Sequence, residues 1–154
     1  MSARLYQNLS RESRTIRIIR LLPGSESSPI RCKLQQITLG DSTAYHAVSY
    51  AWGDPGITRH IFVNDIEVQV QSNLEACLRH LRKTDKPLQL WVDAISINQN
   101  DDNEKSHQVL MMGEIFRSCT SAYIWLGMPN TTHALIREAR TSSQCLSVLV
   151  FTFH

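Results

Sequence analysis

Three short apolar runs alternate with two amphipathic segments in the middle of the chain, and this order constrains the fold more than any other feature. The runs lie in residues 45–52, 88–97 and 122–126, and the amphipathic segments begin at Ser72 and Asp101. Short, nearly continuous apolar runs are typical of strands that are buried on both faces. Strands that alternate with helices are joined by right-handed crossovers into a parallel sheet. The sequence therefore predicts an α/β fold with a parallel sheet and flanking helices.

Helix start signals precede both amphipathic segments. Ser72 and Glu75 fit the capping-box pattern S-x-x-E, and Asp101 and Glu104 form a second signal of this kind. Apolar residues follow each signal at helical spacing, which predicts helices that end near Lys83 and Ser118.

Two β-hairpins are predicted outside this alternating pattern. Residues 15–22 and 30–37 form an N-terminal pair of strands, separated by a loop that contains Pro and Gly. Residues 60–63 and 66–70 form an inserted hairpin, because Asn64-Asp65 between them suits a two-residue turn. Nearer the C-terminus, residues 132–141 are a candidate helix and residues 145–153 a short apolar strand.

Charge and composition exclude several classes of protein. The chain has 154 residues, 42% of them hydrophobic, and a net charge of +2, which excludes a disordered tail and argues against a nucleic-acid partner. Residues 1–33 carry a net charge of +5 and residues 34–154 a net charge of −3. Because Arg14, Arg17 and Arg20 alternate with isoleucines, we interpret them as the solvated face of a strand.

Targeting and cysteine patterns bear on the compartment. The sequence shows neither a secretory signal nor an apolar run long enough to span a bilayer, so the expected location is cytoplasmic and away from membranes. The four cysteines are widely and irregularly spaced, which argues against a zinc site and predicts free thiols.

Three sequence blocks at the ends of the predicted strands carry a family resemblance. They are YHAVSYAWG at residues 45–53, LWVDAISINQ at residues 90–99, and residues 112–116 continued by Ala122 and Trp125-Leu126-Gly127. In this order and at this spacing they resemble the heterokaryon-incompatibility (HET) domain of filamentous fungi.

The resemblance implies a domain organisation. The HET domain would cover residues 15–128, after an N-terminal extension at residues 1–14. Residues 129–154 would be a C-terminal segment, either a genuine end or a truncated one.

The resemblance also implies a function. HET domains act in nonself recognition between fused fungal cells and trigger programmed cell death. The implied partners are other HET-domain or incompatibility proteins, or a second copy of the chain in a homo-oligomer. HET domains are held to be distantly similar to the Toll/interleukin-1 receptor (TIR) domain, which has a flavodoxin-like parallel sheet. The resemblance therefore implies a TIR-like α/β fold with two added hairpins.

Some TIR domains cleave NAD, so the resemblance makes NAD a candidate substrate, with no other cofactor implied. Cleavage creates an oxocarbenium-like centre that a carboxylate stabilises. The candidate catalytic carboxylates are Asp93, Glu104 and Glu138. Each has a structural alternative, because Asp93 suits a loop cap, Glu104 a helix cap and Glu138 an exposed helix.

Candidate ligand-binding residues lie beyond the carboxyl ends of the strands, where ligands bind in parallel sheets. They are Ser49, Trp52, Gly53, Asp54, Asn98 and Gln99. Gly53 and Asp54 suit either a phosphate or a plain turn, Trp52 suits a base or the core, and Asn98 suits a ligand or a braced turn.

The sequence departs from the family pattern at Ser96, where the family usually has Cys. Because Ser and Cys are nearly isosteric and no base is evident beside Ser96, we predict a packing role at this position. No metal site is predicted.

Overall fold

The computed structural model describes residues 5–50, 55–126 and 136–140, the last of these as backbone only. The strands in chain order are β1 (Thr15–Leu21), β2 (Arg31–Thr38), β3 (His46–Tyr50), β4 (Thr58–Val63), β5 (Ile66–Gln71), β6 (Leu88–Val92), β7 (Ser121–Trp125) and β8 (Ile136–Arg140). The helices of the described residues are α1 (Ser72–Leu81), α2 (Asp93–Ser96) and α3 (Asp102–Ser118).

The strands form one eight-stranded sheet in the order β5-β4-β2-β1-β6-β3-β7-β8. At its centre β6, β3 and β7 are parallel, as the alternation of strands and helices predicts. On either side, β1 and β8 run antiparallel to their central neighbours. The predicted α/β class is confirmed, but the sheet is mixed, so the prediction of a parallel sheet is wrong outside its centre. The antiparallel pairs are β1–β2, β4–β5, β1–β6 and β7–β8, and hairpin connections account for the first two, because a hairpin joins antiparallel strands.

Both predicted hairpins are present. β1 and β2 pair antiparallel from Thr15 opposite Thr38 to Leu21 opposite Cys32. β4 and β5 pair around Asn64-Asp65, whose φ angles of 51° and 63° are those of a type I′ turn. Because β4 also pairs in parallel with β2, the two hairpins together extend one side of the sheet.

Hydrophobic layers cover both faces of the central strands. Val48 and Val92 pack with Leu78 of α1 in one core, while Ala47 packs with Phe116 of α3 in the other. Adjacent residues of β3 therefore contribute to opposite layers. Burial on both faces explains why the central strands are apolar at nearly every position.

The helix start signals differ in outcome. The N-cap of α1 is Gln71, without a side-chain cap, so the predicted capping box at Ser72 is wrong. The strand β5 runs directly into α1, and the backbone N–H of Ser72 donates to the carbonyl of Ile57 instead. At α3 the prediction is confirmed, because the Asp101 side chain accepts a hydrogen bond from the Glu104 N–H at 3.0 Å.

The predicted helix over residues 132–141 is wrong where the structure describes it. Residues 136–140 form β8, which pairs antiparallel with β7 and places Ile136 opposite Trp125. Backbone hydrogen bonds to an existing strand override a weak helical pattern. Residues 132–135 and 141 and the predicted strand at 145–153 lie outside the described residues.

Candidate functional site

The carboxyl ends of β3, β6 and β7 meet at one edge of the sheet. The register places Val92 beside Val48 and Trp125 beside Tyr50, so these three ends lie at nearly the same level. Ser49 is half-buried near the end of β3. The other candidates in this stretch, residues 52–54, lie outside the described residues. The edge is therefore built from Ser49, Tyr50 and the loop that follows β6.

Asp93 lies at this edge as the first residue of α2. Its Oδ1 accepts a hydrogen bond from the Ala94 N–H at 2.7 Å, a contact of the loop-cap kind. Desolvation raises the pKa of the Asp93 carboxyl, and the bond from Ala94 opposes this effect. A carboxyl whose pKa is raised by burial at a strand end is a candidate for acid–base chemistry.

Tyr50 is a neighbour of Asp93 and is not among the site residues predicted from the sequence. Burial raises the pKa of the Tyr50 phenol, and the nearby Asp93 carboxylate raises it further. The two groups therefore keep their protons to higher pH than in water. The sequence feature that could have identified Tyr50 as a site residue is its place in the 45–53 block. An aromatic residue at a strand end is, however, ordinarily interpreted as part of the hydrophobic core.

The two candidate amides are engaged within the loop. The Asn98 Oδ1 accepts from the Asn100 N–H at 3.2 Å, and the Asn98 N–H donates to Glu104 Oε1 at 2.8 Å. The Gln99 Nε2 donates to the Asp93 carbonyl at 3.0 Å. These contacts favour the bracing alternative for Asn98 and give Gln99 a similar role, while ligand binding by either amide stays a prediction.

Glu104 is paired with Arg17 in a buried, bidentate contact. Arg17 Nη1 lies 2.5 Å from Oε1 and Nη2 lies 3.1 Å from Oε2, and the two side chains are 2% and 10% exposed. The Asn98 N–H also donates to Oε1, so both carboxylate oxygens are engaged. The structure therefore favours a structural role for Glu104 over a catalytic one.

The interpretation of Arg17 as part of a solvated strand face is wrong. β1 lies inside the sheet, and six of its seven residues, Arg17 among them, are buried. Besides Glu104, the guanidinium donates to the carbonyls of Gln7 and Ser96 and lies 4.9 Å from the centre of the Tyr6 ring. Arg17 thus ties the N-terminal segment to the loop after β6. Its partners come from distant parts of the chain, so a local pattern contains no signal for them.

Ser96 is fully buried, and its Oγ accepts a hydrogen bond from the Val92 N–H at 3.1 Å. This contact holds α2 against the end of β6, which supports the predicted packing role. Among the described cysteines, Cys32, Cys77 and Cys119 are buried, and Cys119 Sγ donates to the Phe116 carbonyl at 3.0 Å. Burial raises the pKa of the Cys32 and Cys77 thiols to about 12, so neither is a thiolate nucleophile near neutral pH.

Glu138 belongs to β8, where its backbone pairs with Tyr123. It lies two positions along the ladder from the Ile136–Trp125 pair at the carboxyl edge. The predicted exposed helix at this position is replaced by a strand, and the catalytic role of Glu138 stays a prediction.

Two cavities flank the N-terminal segment, each of about 260 Å³. One is lined by Arg11, Asp101 and His107 among others, and the other by Gln7 and Gln36 among others. Both are polar and lie beside the Arg17–Glu104 pair.

Within the described ranges, no group of three or more His, Cys, Asp or Glu side chains is placed to hold a metal ion.

A family model described as heterokaryon incompatibility protein (HET) matches residues 45–148, which include the whole carboxyl edge. The chain therefore belongs to the HET family.

No helix in the described part of the chain is long and apolar enough to cross a membrane.

A curated relative from Neurospora crassa is named heterokaryon incompatibility protein 6, OR allele. It is 38% identical over 133 residues, which cover 77% of this chain and 20% of the relative. The chain thus spans about a fifth of the length of the curated relative it matches. No solved structure matches the chain.

Proposed function

We propose that the chain is a nonself-recognition module of a fungal incompatibility system, which triggers or modulates programmed cell death through contacts with other proteins in the cytoplasm. Membership of the HET family and the name of the Neurospora crassa relative support this function. The proposed partners are other HET-domain or incompatibility proteins.

One observation favours an interaction module over an enzyme. The Glu104 carboxylate is committed to Arg17 and to the Asn98 N–H, and the Gln99 amide is committed to the Asp93 carbonyl. Charged and amide groups used in this way build a rigid loop and leave few free groups for catalysis. Such a loop suits recognition, since an ordered surface loses little conformational entropy when it binds.

The experiment induces the full chain in a filamentous fungus and follows viability and cellular NAD in the same cultures. We expect viability to fall while NAD is still unchanged. Asn100→Arg alters an exposed position of the loop and should delay death, whereas Asp85→Arg, exposed at the opposite end of β6, should not. Cultures that stay healthy, or equal effects of the two variants, would contradict the proposal.

A second candidate function is a TIR-like, NAD-consuming hydrolase. The chain order of the three central parallel strands is second, first, third, which is an order found in flavodoxin-like sheets. Asp93 lies at the carboxyl edge, and its carboxylate, when ionised, would stabilise positive charge on the ribose.

The hydrolase proposal is tested with the purified chain and NAD, by measuring release of nicotinamide. Under this second candidate function, the chain releases nicotinamide and Asp93→Asn abolishes the release, while Glu138→Gln tests the other carboxylate. Glu104→Gln is an unsuitable test because it also breaks the ion pair with Arg17. A fall in cellular NAD before death would favour this candidate, whereas wild-type activity in Asp93→Asn would exclude Asp93.

A further inference from the structure

The outer face of α3 exposes apolar side chains in the middle and charges at the ends. Leu110 is 86% exposed and Val109 52% exposed, although both occupy the centre of a 17-residue helix. The residues of this outer face are Asp102, Ser106, Val109, Leu110, Gly113 and Arg117. The opposite face of the helix is buried through Ile115 and Phe116, so packing among the described residues leaves the outer face uncovered.

The residues of the outer face are arranged symmetrically about its midpoint. A two-fold axis between Val109 and Leu110 places each of them opposite the other in an antiparallel copy of the helix. The same axis places Asp102 opposite Arg117 at both ends. We propose that the outer face of α3 binds a second copy of this chain, with the two α3 helices antiparallel.

Charge complementarity selects this occupant and this orientation. The acidic end of one helix meets the basic end of the other, which forms two Asp102–Arg117 pairs. A parallel arrangement would instead bring like charges together. Antiparallel helices also align their macrodipoles favourably. Among the described residues, Arg117 donates its Nε to the Gly113 carbonyl at 3.1 Å, and its terminal nitrogens point to no described carboxylate within ion-pair distance, so they can donate to a carboxylate of a second copy.

Small residues between the apolar centre and the charged ends permit a close approach. The two-fold axis places Ser106 opposite Gly113, so neither helix presents a large side chain there. Leu110 and Val109 of both copies then come into contact. This contact is isologous, and it closes after two copies.

The size of the surface sets the expected affinity. A helix of this length spans about 25 Å at 1.5 Å per residue. One helix pair buries less than the roughly 1,600 Å² of a standard protein interface. The dimer is therefore weak and forms in a concentration-dependent way. Its formation is independent of the proposed function, because a chain that causes no cell death can still dimerise.

The first test measures sedimentation of the purified full chain over a wide range of concentrations. We expect a monomer–dimer equilibrium whose dissociation constant rises about tenfold or more in Leu110→Asp, since the change places two charges in an apolar contact. Ile57→Asp is the matched control, because Ile57 is 51% exposed on another surface. A wild-type chain that stays monomeric, or equal weakening by the two variants, would overturn the proposal.

The second test exchanges the charges. Asp102→Arg and Arg117→Asp should each weaken the dimer several-fold, and the double variant should recover most of the loss because the pairs re-form with reversed sign. Circular dichroism and heat denaturation check that each variant is folded. A double variant that is weaker than both single variants would contradict the antiparallel arrangement, even if Leu110 lies in the interface.

Discussion

Replacement of Glu104 by Gln removes one charge from an ion pair whose side chains are 2% and 10% exposed. The amide keeps the shape of the side chain and still accepts from the Asn98 N–H. Breaking a buried pair by removal of one partner costs about 3–5 kcal/mol, mainly because the remaining charge stays buried. The carbonyls of Gln7 and Ser96 still accept from Arg17, so we expect the lower end, a loss of about 3 kcal/mol.

Urea denaturation at 25 °C measures this loss as a change in the free energy of unfolding, with the slope of the transition unchanged. Heat denaturation provides a second measure. A chain of this size loses about 2–4 °C per kcal/mol, so Tm should fall by roughly 6–12 °C. Replacement of both partners by apolar residues, Arg17→Met with Glu104→Leu, should cost less than the two single changes together, because no unpaired charge is left.

A second ion pair between the same parts of the chain is the control. Arg14 pairs with Glu114 of α3 at 2.6 Å, but these side chains are 56% and 45% exposed. Because solvent screens exposed charges, Glu114→Gln should cost less than about 1 kcal/mol. Equal losses in Glu104→Gln and Glu114→Gln would refute the argument that burial makes the Arg17–Glu104 pair important.

The remaining predictions concern the carboxyl edge and the first hairpin. Asp93→Asn should raise the free energy of unfolding at neutral pH, because desolvation disfavours the ionised carboxyl. This gain should shrink as the pH falls through the raised pKa, and it should vanish below about 3.9, where Asp93 is protonated in both the folded and the unfolded chain. Urea denaturation across that pH range measures the gain. A gain independent of pH would contradict desolvation of the carboxylate as its cause. Gly24→Ala should lower stability by about 1 kcal/mol in heat denaturation, because a Cβ there would lie 2.7 Å from Ser28 Oγ, which would have to rotate away from the Ser25 carbonyl that it donates to. A neutral effect would mean that the loop relaxes freely. Ser96→Cys should cost about 1 kcal/mol by weakening the acceptor of a buried backbone N–H, and its thiol should resist a thiol reagent in the native state. Rapid labelling of the native protein would contradict the packing role.

The main elements of this fold can be read from local patterns. The apolar runs that become β3, β6 and β7 identify buried strands, since residues on both faces of a covered strand must be apolar. Asn64-Asp65 identifies a tight hairpin, because these residue types tolerate a positive φ. Asp101 identifies the start of α3, because a short acidic side chain can reach the free N–H groups of the first turn. Each of these signals lies within a few residues of the structure it predicts.

The sequence by itself thus determined the α/β class, both hairpins and the three strands that meet at the candidate site. Only the tertiary structure decided the roles of Arg17 and Glu104. They lie 87 positions apart, and their charges would suit solvent equally well. The pair is buried because the N-terminal segment and the loop after β6 both contact Arg17. Likewise, the segment at 136–140 becomes a strand because the free edge of β7 offers it backbone partners. Burial and strand pairing depend on which distant segments meet, and a local pattern contains no record of that.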